Sequence, residues 1–92
     1  MKQLIEAVQM DDATKTAELL RSGLDANGYE DYARVTPLHF AAQANALESA
    51  QLLLQAGANP ASKTIEGITP LNIALLYAHL DMMSLLSSDY GK

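Results

Sequence analysis

The apolar residues of this chain fall into six short groups, and within each group they are spaced mainly three or four positions apart. This spacing places them on one face of an α-helix. The pattern predicts three pairs of helices, the first of each pair near 2–9, 37–44 and 70–77, the second near 13–22, 46–56 and 80–87. Residues 24–35 and 58–68, which hold most of the turn-forming residues, are predicted to be extended turns between the pairs.

Residues at the expected helix boundaries support these limits. Thr36 and Thr69 are each followed by proline, which fits an N-cap with proline at the first helical position, where its missing N–H costs nothing. Asp12 and Asn45 are expected to cap the second helices. Glu48, three residues beyond Asn45, would then complete a capping box.

The chain also contains an internal repeat. The sequence Thr-Pro-Leu-His-Phe-Ala-Ala at 36–42 returns as Thr-Pro-Leu-Asn-Ile-Ala-Leu at 69–75, a spacing of 33 residues. Residues 18–25 match 52–59 at a spacing of 34, which aligns Gly23 with Gly57 at the place where a left-handed residue ends a helix. Repeats of this size are typical of solenoids, in which each unit buries its apolar face against its neighbours.

The period and the Thr-Pro-Leu-His-x-Ala motif resemble those of the ankyrin repeat family. The resemblance covers nearly the whole chain and implies an all-α fold, a solenoid of three helix-turn-helix units with extended finger loops. It implies a single domain over residues 1–92, with units of roughly 1–30, 31–63 and 64–92. The first unit begins inside its helix. The third unit has a polar end, as a terminal cap would, and this polar end favours a complete small protein over a fragment.

In the terms of that family, the first helix of each pair is inner and the second is outer. Residues 24–35 form the first finger, and residues 58–68 form the second finger. The core is expected to contain one apolar layer per unit. Its expected members are Leu4, Ala7, Val8, Leu19 and Leu20; then Leu38, Ala41, Ala42, Leu47, Ala50, Leu53 and Leu54; and finally Leu71, Ala74, Leu75, Leu80, Met83 and Leu86.

Three residues depart from the family pattern. Asn72 stands in place of the motif's histidine, and Ala78 stands in place of a glycine before His79. Arg34 occupies the position that Gly67 has in the next unit. We expect these changes to affect local geometry rather than the fold, and Arg34 to require a reshaped first finger.

Composition narrows the classes of function. The chain has 92 residues, no cysteine and a net charge of −5. Without cysteine there is no disulfide, thiolate nucleophile or Cys-ligated zinc, and the acidic balance disfavours nucleic acid and membrane surfaces as partners. No apolar stretch approaches the roughly 20 residues of a membrane span. A cytoplasmic protein is expected, although a translocated effector without a visible signal would look the same.

Residues that could support catalysis are few. His39 and His79 should lie at opposite ends of a repeat, since an eight-residue helix spans roughly 12 Å, and the resemblance implies that both hold turns together. Asp11 and Asp12 lie in a turn between helices, where capping is the expected role rather than metal binding. We expect no cofactor, no metal and no enzyme activity; an enzyme would need a pocket that joins His39 to an acid.

The resemblance implies that a partner protein binds the finger tips and the exposed side of the inner helices. The residues carried over to that surface are Gln9, Met10, Tyr29, Tyr32, Ala33, Val35, Gln43, Ala44, Lys63, Ile65, Glu66, Ile68, Leu76 and Tyr77. Tyr29, Tyr32 and Ile65 are the expected centre, because tyrosine is enriched at interfaces. For Val35, Ile68 and Leu76, packing between neighbouring fingers is an equal alternative. The acids at 30 and 31 suggest a partner with a basic rim.

The expected function is therefore that of a protein-protein interaction module, normally monomeric, acting as an inhibitor, an immunity factor or a regulatory subunit of an enzyme. The alternative is structural. The open ends of a short solenoid, or the tyrosine patch, would then drive self-association into a homodimer.

Overall fold

A computed structural model of the chain describes residues 1–29 and 32–87. Within those two ranges it contains six α-helices and no strand. The helices are α1 (Lys2–Gln9), α2 (Ala13–Arg21), α3 (Pro37–Ala44), α4 (Leu47–Gln55), α5 (Pro70–Leu76) and α6 (Leu80–Leu86). The predicted helix-turn-helix solenoid is confirmed, with every helix within one residue of its predicted limits at each end. The division into units at residues 30 and 63 remains a prediction.

The helices form two layers. The inner helices pack in the order α1, α3, α5, and the outer helices α2, α4, α6 lie behind them, each against the inner helix of its own unit. The two fingers directly precede the inner helices α3 and α5 in the chain. The expected polar cap at residues 88–92 lies outside the described residues.

Both threonine–proline pairs begin a helix as predicted. The Thr36 N–H donates to His39 Nδ1 at 3.1 Å. In the next unit the Thr69 N–H donates to Asn72 Oδ1 at 3.0 Å, and the Asn72 N–H donates back to Thr69 Oγ1 at 3.1 Å. Asn72 therefore makes the same reciprocal bond as the histidine that it replaces, and the start of α5 is not distorted.

The capping prediction is confirmed at Asp12 and wrong at Asn45. Asp12 Oδ1 accepts the Lys15 N–H at 3.0 Å, at the start of α2. Asn45 instead ends α3 in the left-handed conformation at φ 55°, while Ala46 precedes α4 with no side-chain cap, so the box with Glu48 does not form. Asparagine suits both positions, because its side chain caps helices and its backbone tolerates positive φ.

A left-handed residue occupies the inner-to-outer turn of every unit. The three are Asp11 at φ 50°, Asn45 at φ 55° and Ala78 at φ 56°. The ends of the outer helices follow the prediction, since Gly23 and Gly57 have φ of 104° and 97° just beyond α2 and α4. The turn geometry is thus repeated even where the residue type changes.

The core follows the predicted layers except in the third unit. Leu4, Val8, Leu38, Ala41, Ala42, Ala50, Leu53 and Ala74 are almost completely buried, and Ala7, Leu54 and Leu86 nearly so. Leu19, Leu20, Leu47, Leu71 and Met83 are half-buried against them. Two expected core residues are instead exposed, Leu75 by 51% and Leu80 by 73%, whereas Met82 is fully buried.

The error at Leu75 and Leu80 has a simple physical cause. They occupy the positions of Ala42 and Leu47 in the second unit, 33 residues earlier. There the third unit covers those positions, so Ala42 is buried and Leu47 half-buried. The third unit is the last one described, and none of the described residues buries its matching face. Met82 is buried because it points inward from α6.

Polar bonds across the repeats add to this packing. Asp11 Oδ1 accepts the Ser49 N–H at 3.1 Å, and Ser49 lies 3.4 Å from the Thr16 hydroxyl between the outer helices. At the finger side, Asn27 Oδ1 accepts the Asn59 N–H at 2.7 Å. Throughout the described part of the chain, no buried side-chain nitrogen or oxygen lacks a hydrogen-bond partner. Each repeat is therefore fixed against its neighbour by direction-dependent contacts as well as by apolar area.

Candidate protein-binding face

The second finger is held in shape by its own backbone. The Thr64 N–H donates to Ile68 O at 2.9 Å, and the Gly67 N–H donates to Thr64 O at 2.9 Å. Gly67 takes φ 83° in this turn, a conformation that glycine adopts without strain. The Ile65 N–H donates to Ala33 O at 2.8 Å, so the second finger is also tied to the first.

His39 attaches the second finger to the inner helix of the preceding unit. Its ring is buried, and Nε2 lies 2.8 Å from Ile68 O. Because Nδ1 accepts the Thr36 N–H, Nε2 is the nitrogen that carries the proton and donates to Ile68. Burial lowers the pKa of His39, and hydrogen bonds to the backbone of Ile68 and Ser62 oppose that effect only in part. His39 is thus neutral at about pH 7, and its hydrogen bonds give it the structural role that the resemblance implied.

The two fingers and α5 enclose an apolar cleft of about 410 Å³. The residues that line it are Ala33, Val35, Thr64, Glu66, Ile68, Asn72, Ile73 and Leu76. Five of them, Ala33, Val35, Glu66, Ile68 and Leu76, were candidate binding residues from the sequence. We call this feature the finger cleft.

Val35, Ile68 and Leu76 all line the finger cleft but differ in how far they are buried. Val35 is half-buried and Ile68 is 37% exposed, so each contributes to packing while presenting part of its side chain to the cleft. Leu76 is 79% exposed at the end of α5. A leucine this exposed contributes little to the core and leaves an apolar side chain at the open side of the cleft.

Two other candidates, Gln43 and Tyr77, contact each other. Gln43 Nε2 donates to Tyr77 Oη at 3.2 Å, which joins the exposed ends of α3 and α5. The Tyr77 ring stacks on His79, with centroids 5.7 Å apart and an interplanar angle of 27°. The imidazole of His79 is itself fixed, since Nδ1 lies 2.8 Å from Ala42 O.

Tyr29, Tyr32 and Ile65 are all exposed, by 49%, 86% and 56% respectively. The acidic residues 30 and 31 between the tyrosines lie outside the described residues. Met10 is 79% exposed but lines a different, smaller depression with Gln3, Glu6, Ala7, Asp12 and Lys15. The structure therefore groups Met10 with the start of the stack rather than with the finger cleft.

Sequence reasoning omitted Thr64, Asn72 and Ile73 from the candidate surface. From the inner helices, the resemblance placed only the last residues of each on the binding surface. Asn72 was considered solely as a departure from the motif. A usable signal was present, because Asn72 and Ile73 lie one helical turn before Leu76 and positions four apart share a face.

The reactive side chains singled out in the sequence all have structural partners. Asp12 caps α2, Asp11 binds the Ser49 backbone, and the two histidines contact different carbonyl groups. Among residues 1–29 and 32–87, no group of three or more His, Asp or Glu side chains is placed to hold a metal ion. None of the helices in the same ranges is long and apolar enough to cross a membrane.

Stacked helix pairs with projecting fingers and a cleft between them define a helical repeat protein, and comparison with known sequences specifies which kind. The model of the family described as ankyrin repeats (3 copies) matches residues 4–92. The chain belongs to the ankyrin repeat family.

In several similar proteins, the region that matches this chain is one part of a longer protein. The mouse 2-5A-dependent ribonuclease is 45% identical over 71 residues, which cover 77% of this chain and 10% of that protein. The human ARF GTPase-activating protein GIT1 is 35% identical over 81 residues, covering 88% of this chain and 11% of that protein. The potassium channel GORK of Arabidopsis thaliana is 37% identical over 83 residues, or 90% and 10% of the two chains. The chain thus spans about a tenth of the length of these relatives.

Proposed function

We propose that this chain is a protein-binding module that holds a partner protein against its fingers and the exposed ends of α3 and α5. Ankyrin repeats are in general protein-protein interaction modules and form a non-catalytic fold. The proposal assigns the binding role to the finger cleft and the tyrosines beside it. It also assigns a cytoplasmic location, no catalytic activity, and a role as an inhibitor or regulatory subunit that acts by covering its partner's surface.

One observation carries the proposal: large apolar side chains are exposed together around the fingers. Tyr32, Ile65 and Leu76 each leave more than half of their surface in solvent. Contiguous apolar patches of this kind usually mark interaction sites. The backbone beneath them is fixed by the bonds from Ile65 to Ala33 and from His39 to Ile68. A preordered surface loses less conformational entropy on binding.

The test compares the wild-type protein with Tyr32→Ala and Glu18→Ala. Glu18 is exposed on outer helix α2, so its variant is the matched control. A partner is first captured from the native cell by cross-linking, identified, purified and then titrated by calorimetry. Truncating a hot-spot tyrosine commonly costs about 2 kcal/mol or more, so Tyr32→Ala should weaken binding by over tenfold.

Each alternative result has a definite meaning. Equal affinities for wild type and Tyr32→Ala would refute binding at the finger tips. Reduced affinity in Glu18→Ala alone would place the interface on the outer helices. Unfolding of Tyr32→Ala would contradict the exposure of this side chain.

A second candidate function is self-association into a homodimer, and a separate observation favours it. Leu75 and Leu80 are exposed on the third unit, whereas the matching residues of the second unit, Ala42 and Leu47, are covered by the third unit. Two chains that met through this face would bury both leucines in each copy. Sedimentation of the pure protein over a dilution series tests this, with Leu80→Lys as the disrupting variant and Gln51→Lys as the control of equal charge. A dimer lost only in Leu80→Lys would support the candidate, and a monomer at every concentration would exclude it.

A further inference from the structure

Hydrogen bonds fix the backbone that forms the finger cleft. The second finger forms one side of the cleft, and the hydrogen bond from Thr64 N to Ile68 O holds this finger in shape. The hydrogen bond from Ile65 N to Ala33 O ties it to the first finger. His39 fixes Ile68 from behind. Its volume, about 410 Å³, lies within the range of about 300–1,000 Å³ that is typical of ligand pockets. The cleft therefore exists before anything binds.

The lining of the cleft specifies what it can accept. Val35, Ile68, Ile73 and Leu76 present branched apolar side chains, and Thr64 and Asn72 add neutral polar groups. The Asn72 side-chain oxygen already accepts the Thr69 N–H at the start of α5, and the Thr64 hydroxyl already accepts the Ile68 N–H at 3.2 Å. The remaining capacity of the cleft is thus mainly for an apolar group.

Charge decides between the possible occupants. Among the described residues that line the cleft, Glu66 is the single charged one, and Arg34 and Lys63 lie in the fingers outside that described lining. The chain as a whole carries a net charge of −5. An apolar group with a cation beside it therefore complements the cleft, and an anionic neighbour would be repelled. In a protein partner this combination is a bulky aliphatic or aromatic residue next to lysine or arginine.

We propose that the finger cleft binds the apolar anchor residue of an extended basic segment of the partner, with a lysine or arginine beside the anchor paired to Glu66. This rests on the proposed function and makes it specific, since it names the chemistry that the partner must offer. Leu76 covers the anchor, and Tyr32 and Ile65 contact the chain on either side of it.

The experiment uses a random-peptide display library selected on the immobilised full chain. The enriched peptides should share an aliphatic or aromatic residue adjacent to lysine or arginine. A representative synthetic peptide is then titrated by calorimetry against wild type, Tyr32→Ala, Leu76→Ser, Glu66→Lys and Glu18→Lys. Leu76→Ser and Glu66→Lys should each weaken binding at least tenfold. The charge-matched control Glu18→Lys, on an outer helix, should bind as wild type does. Selection repeated on Glu66→Lys should favour acidic neighbours.

Thermal unfolding distinguishes lost binding from lost structure. Leu76 and Glu66 are exposed, so both variants should melt close to wild type. If Leu76→Ser melts much lower, Glu66→Lys alone carries the comparison. If Glu66→Lys melts much lower, the milder Glu66→Gln takes its place in the titration.

The results that overturn the inference are distinct from those that overturn the proposed function. A peptide that binds Tyr32→Ala more weakly, but binds Leu76→Ser and Glu66→Lys as it binds wild type, would support the proposed binding face and refute the anchor site. Peptides that bind all these variants equally would refute both. Four other outcomes would each refute a peptide anchor and indicate a different occupant. Two come from the selection, namely no enriched peptide and enriched peptides without basic residues. The other two are binding of an apolar dye in place of peptides and a dimer of the chain that is lost in Leu76→Ser.

Discussion

At the scale of single residues, Arg34 and Ala78 adopt a backbone conformation that suits glycine better. Their φ values are 60° and 56°, and Gly67, which matches Arg34 in the second finger, has φ 83°. A left-handed conformation costs residues other than glycine roughly 1–2 kcal/mol. Arg34 thus adopts the left-handed conformation of the matching glycine. The reshaped first finger stays a prediction.

Replacing Ala78 with glycine should stabilise the fold. Removing the strain outweighs the extra backbone entropy of glycine, about 0.5–1 kcal/mol, so a net gain of up to about 1 kcal/mol is expected. For a domain of this size that corresponds to roughly 4–8 °C in melting temperature. Ala44→Gly, at an exposed helical position in α3, is the control and should lower the melting temperature. Ala78→Gly melting below wild type would contradict the prediction.

The buried His39 should make folding sensitive to acid. Burial lowers its pKa in the folded protein, whereas the unfolded chain keeps the ordinary value of about 6.5. Above that value both states are neutral and the full stability is present. As the pH falls below it, the unfolded state takes up the proton first, so the free energy of unfolding decreases. The loss continues until the pH reaches the lowered folded pKa.

Urea unfolding at about pH 7.5 and about pH 5.5, on either side of the ordinary pKa, checks this. The comparison is with His39→Asn, which copies the residue at Asn72 and removes the titrating group. Wild type should lose more stability on acidification than the variant does. At the higher pH the variant should be less stable, because Ile68 O loses its donor, a defect that costs about 1–3 kcal/mol. Equal acid sensitivity of the two proteins would show that another group controls the effect.

At the scale of helices, local sequence was sufficient for most boundaries. Thr36 and Thr69 combine an N-cap with a following proline, and Gly23 and Gly57 supply left-handed residues, so each signal is local. Asn45 was misassigned because asparagine suits both a cap and a left-handed turn. Only the path of the chain between α3 and α4 determines which role it takes, and that path depends on the packing of the two helices.

The middle outer helix should be the most sensitive to truncation. Leu53 is fully buried in α4, which lies between α2 and α6 and against α3. Leu53→Ala should cost about 2–5 kcal/mol, the usual range for a buried leucine. Gln51→Ala, an exposed position on the same helix, should unfold like wild type. Thermal unfolding measured for both variants checks this, and a melting temperature of Leu53→Ala equal to that of wild type would contradict the central place of this residue.

At the scale of the whole molecule, the 33-residue period predicted the order and stacking of the units. It did not predict the exposure of Leu75 and Leu80, since burial at a repeat position depends on what lies against it in space. The finger cleft was equally out of reach as a unit. It arises from the distance between two fingers and α5, so its lining residues could be suspected singly but not recognised together.

The exposed face of the third unit has a consequence for how the stack opens. In a solenoid each unit is stabilised by its own core and by its neighbours. The first and third units each have one described neighbour, but Leu4 and Val8 in α1 are fully buried, whereas Leu75 and Leu80 in the third unit are exposed. The third unit therefore gains less from burial than the first. We expect α5 and α6 to open before α1 and α2.

Native-state hydrogen exchange on wild type and Met82→Ala tests this order. In wild type, the amides of α5 and α6 should be the least protected of the six helices, because local opening requires little loss of buried area there. Met82 is fully buried in α6, so Met82→Ala should reduce protection in α5 and α6 further. The amides of α1 and α2 should exchange as in wild type, because the variant leaves their packing against α3 and α4 unchanged. A uniform loss of protection over all six helices would instead mean that the three units unfold as a single cooperative body, and the asymmetry inferred from Leu75 and Leu80 would be wrong.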